Sequence, residues 1–208
     1  MTRIIGGSAR GRRLRTPTGD ATRPTADRVR EALFSALEAQ LGTLRGARFL
    51  DLYAGSGAVG LEAASRGAGA VTAVESDRRT ARLVADNARA LGFDVDVRAQ
   101  PAAAVLATSP AAAYDVVFLD PPYPLPGEEV ARVLGLLVEH GWLTPHAAVV
   151  VERSARSVEP SWPDGLDVLR EKRYGETVLW DLRRHPTGAE HVADADPGVG
   201  DGGSPAVR

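Results

Sequence analysis

The side chains best suited to chemistry follow an apolar run near the middle of the chain. Residues 114–119 are mostly apolar, and Asp120-Pro121-Pro122-Tyr123 comes directly after them. A run of this kind that stops at proline predicts a buried strand ending at a crevice, because proline cannot continue a central strand. The Asp120 carboxylate and the Pro121 carbonyl could accept both N–H bonds of a planar amine, on whose ring Tyr123 could stack. We therefore predict a catalytic site formed by Asp120, Pro121, Pro122 and Tyr123; the alternative is a plain strand followed by a stiff turn.

A glycine-rich loop supplies a second set of candidates. Gly55, Gly57 and Gly60 form a Gly-x-Gly-x-x-Gly motif between a predicted strand and a predicted helix, where glycine lets the backbone approach a ligand closely. Glu75 ends the next predicted strand, 20 residues after Gly55, which is the spacing of an acid that binds ribose hydroxyls. The predicted cofactor-binding residues are Asp51, Ala54, Gly55, Ser56, Gly57, Gly60, Glu75, Ser76, Gln100 and Ala102.

Two classes of cofactor fit this loop, a dinucleotide and S-adenosylmethionine. Asp51, at the tip of the preceding strand, would repel a pyrophosphate and suits the amino group of S-adenosylmethionine. Gln100 lies in a turn that would line the adenine site. Its side chain would either make a polar contact with the adenine or be an exposed loop residue. An exocyclic base amine is a weak nucleophile, since its lone pair is delocalised into the ring. Held by Asp120 and Pro121, such an amine could pyramidalise towards a sulfonium methyl, with positioning and charge stabilisation supplying most of the rate.

The elements that must position these residues alternate between strand and helix. The pattern predicts strands at 49–53, 70–75, 95–98, 114–120 and 147–152, with helices at 59–66, 78–91, 102–107 and 128–139 between them. Such an order is typical of a parallel sheet covered on both faces. Predicted strands at 167–171 and 176–182 have no helix between them, which indicates an antiparallel edge.

Outside this alternation, three segments differ in character. Residues 1–22 form a predicted basic hairpin that has no apolar face of its own and must lean on the body of the protein. A helix then opens at Pro24-Thr25, with Thr25 as its N-cap. We assign 1–22 to an RNA-contacting hairpin, 23–184 to a Rossmann-like domain, and 185–208 to a disordered acidic tail.

Charge and composition restrict the partners. The net charge is −2, but residues 1–30 carry eight arginines against two aspartates, a local charge of +6, which favours a polyanionic partner. No apolar run is long enough to span a membrane and no secretory signal is present, so we expect a cytoplasmic protein that does not bind a membrane. The chain has no cysteine, which excludes thiolate metal sites and a cysteine nucleophile. The four histidines lack metal-ligand spacing, so we expect no metal.

Several segments together resemble one known family. They are Arg3-Ile4-Ile5-Gly6-Gly7, Arg10-Gly11-Arg12, Arg23-Pro24-Thr25, Asp27-Arg28-Val29-Arg30-Glu31, Leu50-Asp51-Leu52-Tyr53-Ala54-Gly55-Ser56-Gly57 and Leu119-Asp120-Pro121-Pro122-Tyr123. The chain is similar to the RsmD family of 16S ribosomal RNA guanine-N2 methyltransferases over residues 1–184, the N-terminal segments being the specific part. Two positions depart from the usual methyltransferase pattern. Tyr53 stands where the first loop glycine is often found, and Gln100-Pro101 replaces an acidic residue or asparagine at the adenine.

The resemblance implies fold, cofactor and substrate. The fold would be α/β and Rossmann-like, of the class I methyltransferase type: a mostly parallel twisted sheet with an antiparallel C-terminal edge strand and a small N-terminal β-hairpin extension. The cofactor would be S-adenosylmethionine, and the substrate 16S rRNA in the small ribosomal subunit or its assembly intermediate, met by a monomer. The expected RNA-binding residues are Arg10, Arg12, Arg13, Arg23 and Arg28.

Three other functions fit part of the pattern. One is an adenine-N6 or cytosine-N4 methyltransferase acting on DNA, which shares the amine-binding motif. A nicotinamide-dependent oxidoreductase would use the glycine loop. It would leave Asp120 and the basic head, the arginine-rich residues 1–30, unexplained. A non-catalytic RNA-binding protein would use only the arginines. Methylation at pyrimidine C5 is excluded, since it needs a cysteine thiolate.

Overall fold

A computed structural model describes residues 2–17, 24–122 and 124–185 of the chain. Its strands and helices, in chain order, are β1 (Thr2–Arg3), β2 (Arg13–Leu14), α1 (Pro24–Leu41), β3 (Arg48–Leu52), α2 (Ala58–Ser65), β4 (Ala70–Val74), α3 (Arg78–Leu91), β5 (Asp96–Arg98), α4 (Ala102–Leu106), β6 (Tyr114–Leu119), α5 (Gly127–Glu139), β7 (Leu143–Ser154), β8 (Leu166–Tyr174) and β9 (Thr177–Arg184). The predicted tail lies outside the described residues, apart from His185.

Seven strands form the main sheet in the order β5-β4-β3-β6-β7-β9-β8. The first five of these are parallel to one another, whereas β9 runs antiparallel to β7 and β8 antiparallel to β9. The predicted parallel sheet with an antiparallel edge is therefore confirmed. The strand order reverses between β3 and β6, and ligands of open α/β sheets bind at such a switch point, outside the carboxyl ends of the strands. Asp51 lies on β3 and Asp120 directly follows β6, the two strands that flank it.

The side chains of the central strands alternate between two apolar layers. Leu50, Val117 and Val149 pack with the layer that contains α4 and α5, and their neighbours Phe49, Val116 and Val150 pack with the layer that contains α1 and α2. Burial on both faces explains why these strands are continuous apolar runs without polar alternation.

Local sequence signals account for most helix boundaries. In α3 the Asp77 side chain accepts a hydrogen bond from Thr80 N at 2.8 Å, and Gly92 ends the helix with a φ of 75°. The expected N-cap at Thr25 is wrong, because α1 already begins at Pro24 and Thr25 lies within its first turn. Proline suits the first helical position, where its missing N–H is not needed.

The N-terminal hairpin is a two-stranded antiparallel sheet, with Thr2 opposite Leu14 and Arg3 opposite Arg13. The expectation that it lacks an apolar face is wrong, since Ile4, Ala9 and Leu14 are buried against Leu61 of α2 and Ala88 of α3. The hairpin is too short for its apolar and polar residues to alternate clearly in the sequence. Its buried face is therefore evident only once it packs against α2 and α3. The hairpin is thus part of the folded core.

Candidate active site

The glycine loop leads from β3 into α2 as predicted. Gly57 is the residue before α2 and has a φ of 80°, and a Cβ there would lie 2.8 Å from Val84 Cγ1. Gly55 has a φ of 54°, and its missing Cβ faces open space. Gly57 therefore allows the close packing of the loop on α3, while Gly55 leaves room beside the crevice.

Asp51 lies beneath this loop, with 1% of its surface exposed. Its Oδ2 accepts a hydrogen bond from Gly60 N at 2.8 Å, and a Cβ on Gly60 would come within 3.1 Å of the same oxygen. Burial is the main cause that raises the pKa of Asp51 to about 7, and the carboxylates of Asp120 and Glu75 add to it. The charges of Glu75 and Asp120, which follow β4 and β6, thus act on Asp51 of β3.

Glu75 is held at the tip of β4 by backbone donors. Its Oε2 accepts from Gly55 N at 2.9 Å and its Oε1 from Asp77 N at 2.9 Å. The two bonds fix the carboxylate at the mouth of the loop. This position suits an acceptor for a ribose diol, the role predicted from the spacing of 20 residues.

Asp120 follows the end of β6 and is exposed, whereas Pro121 beside it is buried. The turn after them is fastened by two hydrogen bonds: Leu125 N donates to Pro122 O at 2.9 Å, and Arg153 Nη2 donates to Leu125 O at 2.7 Å. Tyr123 lies outside the described residues.

The other predicted cofactor residues surround the crevice at different depths. Ala54 is buried, and its N–H donates to Val74 O at 2.9 Å, which joins the ends of β3 and β4. Ser56 O accepts from Asn87 Nδ2 at 3.1 Å. Ser76 and Gln100 are exposed in the turns after β4 and β5, and Ala102 is buried at the start of α4.

Three further residues at the site were not predicted from the sequence to be functional. Tyr53 has a φ of 64°, the only positive value for a non-glycine residue in the described part of the chain. A tyrosine in this region is strained, as is common beside functional sites. Arg153 is buried beneath the turn after Asp120, where its Nε and Nη1 find no partner among the described residues. Glu152, one residue earlier on β7, is half-buried; burial, together with the Asp120 carboxylate, raises its pKa to about 8.

Of these three, only Tyr53 gave a signal in the sequence, by standing in a position often held by glycine. Glu152 and Arg153 belong to no motif. Their proximity to Asp120 arises from the pairing of β6 with β7, which brings together residues some 30 positions apart.

Four of the five arginines expected to bind RNA lie within the described residues. Arg10, Arg12, Arg13 and Arg28 are all exposed, although Arg12 Nη2 also donates to Ala90 O at 2.8 Å. A cleft of about 230 Å³ between the hairpin and α1 is lined by Arg3, Arg10 and Arg28 together with Asp27 and Glu31. Arg23 lies outside the described residues.

The residues around the crevice fit a positively charged ligand better than a phosphate. Three carboxyl groups lie there, and those of Asp120 and Glu75 act on that of Asp51. Such a lining would repel a pyrophosphate, and it suits the sulfonium and the α-ammonium of S-adenosylmethionine. The glycine loop at the switch point and the acid at the tip of β4 complete the geometry for an adenosine ligand. Fold and site together define a class I methyltransferase that uses S-adenosylmethionine.

Comparison with known proteins gives the family. The chain belongs to the family described as Conserved hypothetical protein 95, whose model matches residues 2–183 and which corresponds to the RsmD family. It is 36% identical to the ribosomal RNA small subunit methyltransferase D of Escherichia coli K12 over 93% of this chain and 94% of that protein.

Solved structures agree with this assignment. The yhhF protein of Escherichia coli superposes with a TM-score of 0.79 at 34% identity, covering 89% of this chain and 99% of that one. A magnesium protoporphyrin IX methyltransferase from Synechocystis PCC 6803, solved with bound S-adenosylmethionine, shares the fold with a TM-score of 0.60 at 16% identity, covering 80% of this chain and 86% of that one.

Neither a candidate membrane span nor a candidate metal site is found within residues 2–17, 24–122 and 124–185. None of the helices in these ranges combines the length and the apolar character needed to cross a membrane. The same part of the chain contains no cluster of three or more acidic or histidine side chains arranged to hold a metal ion.

Proposed function

We propose that this protein transfers a methyl group from S-adenosylmethionine to the exocyclic N2 amine of a guanine in 16S rRNA. The observation that carries the proposal is the position of Asp120 at the switch point between β3 and β6, where its charge acts on Asp51 across the crevice. Membership of the family to which the E. coli rRNA methyltransferase belongs supports the choice of substrate.

The chain's own residues would then share the work as follows. S-adenosylmethionine, when bound, supplies an electrophilic methyl group. Glu75 would bind the ribose hydroxyls, Asp51 the α-ammonium, and Gly55 would leave room for the adenosine. Asp120 and the carbonyl of Pro121 would accept the two N–H bonds of the guanine amine, and Tyr123 would stack on the base. Asp120 would thereby stabilise the positive charge that develops on the amine nitrogen.

The exposed arginines of the hairpin would hold the RNA. Arg10, Arg12, Arg13, Arg23 and Arg28 would contact phosphates, which position the substrate without reading its sequence. We infer that the protein acts in the cytoplasm as a monomer, on the small subunit or its assembly intermediate. The alternatives of a DNA methyltransferase and a nicotinamide-dependent oxidoreductase are not favoured, because the E. coli relative is named as a methyltransferase of ribosomal RNA.

The experiment that tests the function measures transfer of labelled methyl to 30S subunits from a strain lacking this gene, followed by nucleoside analysis. We expect N2-methylguanosine as the product. Label in N6-methyladenosine or N4-methylcytidine would contradict the proposed substrate. If the label enters only protein-free RNA, the assembled particle is not the substrate.

Substitution of Asp120 tests the role of the carboxylate. Asp120→Ala should lower kcat by on the order of 10²–10³-fold, as loss of one aligned electrostatic partner does, since the amine loses its acceptor. Binding of S-adenosylmethionine, measured by calorimetry, should change by no more than a few fold. Asp94→Ala, which removes an exposed carboxylate from the turn before β5, is the matched control. Undiminished activity of Asp120→Ala would rule out the amine-holding role.

A further inference from the structure

Glu152 lies beside Asp120 across two paired strands. The last pair in the β6–β7 register is Leu119 with Val151, and the next residue on each strand is Asp120 and Glu152. Neighbouring parallel strands are about 4.8 Å apart, so the two acids follow the strand pairing side by side at the carboxyl edge of the sheet.

The alternation of the strands puts both side chains on the same face. Phe118 and Val150, two residues earlier on their strands, both pack with the layer that contains α1 and α2. Continuing the alternation by one period turns Asp120 and Glu152 to that face, and sends Arg153 to the other. Arg153 indeed contacts Leu125 O, on the side of α5.

Two other acids of this layer each pair with an arginine. Asp181 of β9 binds Arg170 of β8, and Asp27 of α1 binds Arg30. Burial is the main cause that disfavours a negative charge on Glu152, and the Asp120 carboxylate acts in the same direction. When two carboxyl groups stand this close, they hold one proton between them, and the more buried group takes it.

We propose that Glu152 positions Asp120: as a neutral carboxylic acid it donates a hydrogen bond to the Asp120 carboxylate, and so keeps that carboxylate ionised and directed at the target amine. The inference rests on the proposed amine-holding role of Asp120. Glu152 touches neither substrate in this scheme and acts only through its neighbour. At alkaline pH it loses its proton, and repulsion between the two carboxylates then displaces Asp120.

The test compares wild type, Glu152→Gln and Glu152→Ala in methyl transfer to 30S subunits between pH 6.5 and about pH 9. Glutamine is neutral at every pH and retains a donor, so Glu152→Gln should keep kcat within about twofold at pH 7. Glu152→Ala should lower kcat by about 10–100-fold with little change in either KM, the size expected for one lost hydrogen bond to a charged group.

The pH profile separates this role from a structural one. About a tenth of a group remains protonated one pH unit above its pKa, so wild-type kcat should fall about tenfold by pH 9, while the Glu152→Gln variant does not fall. The ratio of the two rates at each pH cancels effects on the subunits themselves. The melting temperature of Glu152→Gln should also rise relative to wild type as the pH increases from about 5 to about 8, and the difference should level off above that pH, a readout independent of activity.

The possible results distinguish the role of Glu152 from the proposed methyl-transfer function. If Glu152→Gln is as slow as Glu152→Ala at pH 7, or falls with pH as wild type does, the proposed role of Glu152 is overturned while the function stands. If the wild-type protein forms no N2-methylguanosine at any pH, the function itself is overturned. Should Glu152→Ala fail to fold, the Glu152→Gln profile carries the test alone.

Discussion

At the scale of single residues, the carboxyl groups at the site differ in how far they are held away from water. Asp51 is the extreme case: it is buried, and the hydrogen bond from Gly60 only partly offsets the cost of its charge. A bound cation would offset the rest of this cost. The burial of Asp51 lowers the stability of the ligand-free protein, and for the same reason it favours the binding of a sulfonium or an ammonium.

The pH dependence of stability tests this account of Asp51. An acid whose pKa is raised in the folded state stabilises the protein while it keeps its proton, and this contribution is lost as the pH rises from about 4 to about 7. Asp51→Asn stays neutral and can still accept from Gly60. Its melting temperature should therefore rise relative to wild type between pH 5 and pH 8, by at least about 2–4 °C, the shift that corresponds to 1 kcal/mol in a chain of this size.

The control for this measurement is Asp94→Asn, an exposed change on the same scaffold. The difference from wild type should stay flat with pH for Asp94→Asn. A flat difference for Asp51→Asn as well would mean that Asp51 is ionised throughout, against the pKa inferred from its burial.

At the scale of elements, the N-terminal hairpin is fastened to α2 by a buried carboxylate. Glu62 is fully buried and accepts from Ile5 N and Gly6 N, each at 2.7 Å, and from Arg66 Nε at 2.9 Å. Breaking a buried pair of this kind by removing one partner costs about 3–5 kcal/mol. Deleting the hairpin would therefore leave Glu62 without two of its donors. A loss of RNA binding in such a truncation would not show that the arginines themselves bind RNA, because the fold would be destabilised as well.

Two glycines of the hairpin allow a matched test of this docking. Gly7 and Gly11 both have positive φ, 72° and 82°, but a Cβ on Gly7 would lie 1.9 Å from Ser65 O, whereas one on Gly11 meets nothing within 4 Å. Gly11→Ala should cost about 1–2 kcal/mol from backbone strain alone. Gly7→Ala adds an overlap with α2 and should cost at least about 1–3 kcal/mol more.

Urea unfolding and hydrogen exchange of residues 2–14 measure these two effects. We expect exchange in the hairpin to accelerate in Gly7→Ala and to change little in Gly11→Ala. Equal unfolding free energies for the two variants would show that the hairpin is not held against α2 in solution.

At the scale of the whole molecule, the basic head and the crevice are joined by shared residues. Asn87 of α3 accepts from Arg15 N at 3.0 Å, donates to Arg15 O at 2.9 Å, and donates to Ser56 O of the glycine loop at 3.1 Å. The strand that carries Arg13 and the loop that lines the crevice are thereby fixed to one helix. RNA bound to the head would be held at a defined distance from Asp120.

A paired substitution tests whether the head grips RNA. Arg10→Ser with Arg13→Ser should weaken RNA binding and reduce the slope of log K against log salt by about 2, one for each lost phosphate contact. Arg132→Ser with Arg156→Ser removes the same charge from exposed sites on α5 and just after β7 and serves as the control. Equal salt slopes for both pairs would exclude the head as the binding surface.

The sequence by itself determined the elements and the chemistry of the motifs. Periodicity and turn residues predicted the order of strands and helices, because the spacing of apolar residues and the positions of Gly, Pro and Asp act locally. The glycine loop with Glu75, and Asp120 before two prolines, were recognisable because each chemistry needs particular residues at short, fixed distances.

Only the tertiary structure decided which side chains act on one another. Glu152 meets Asp120 through the pairing of β6 with β7, and Glu62 meets the hairpin through a contact between residues 56 and 57 positions apart. Neither Glu152 nor Glu62 belongs to a sequence motif, and a single acid in a strand or helix is normally predicted to be exposed. Long-range pairing also decides burial, and burial is the main cause that raises the pKa values of Asp51 and Glu152.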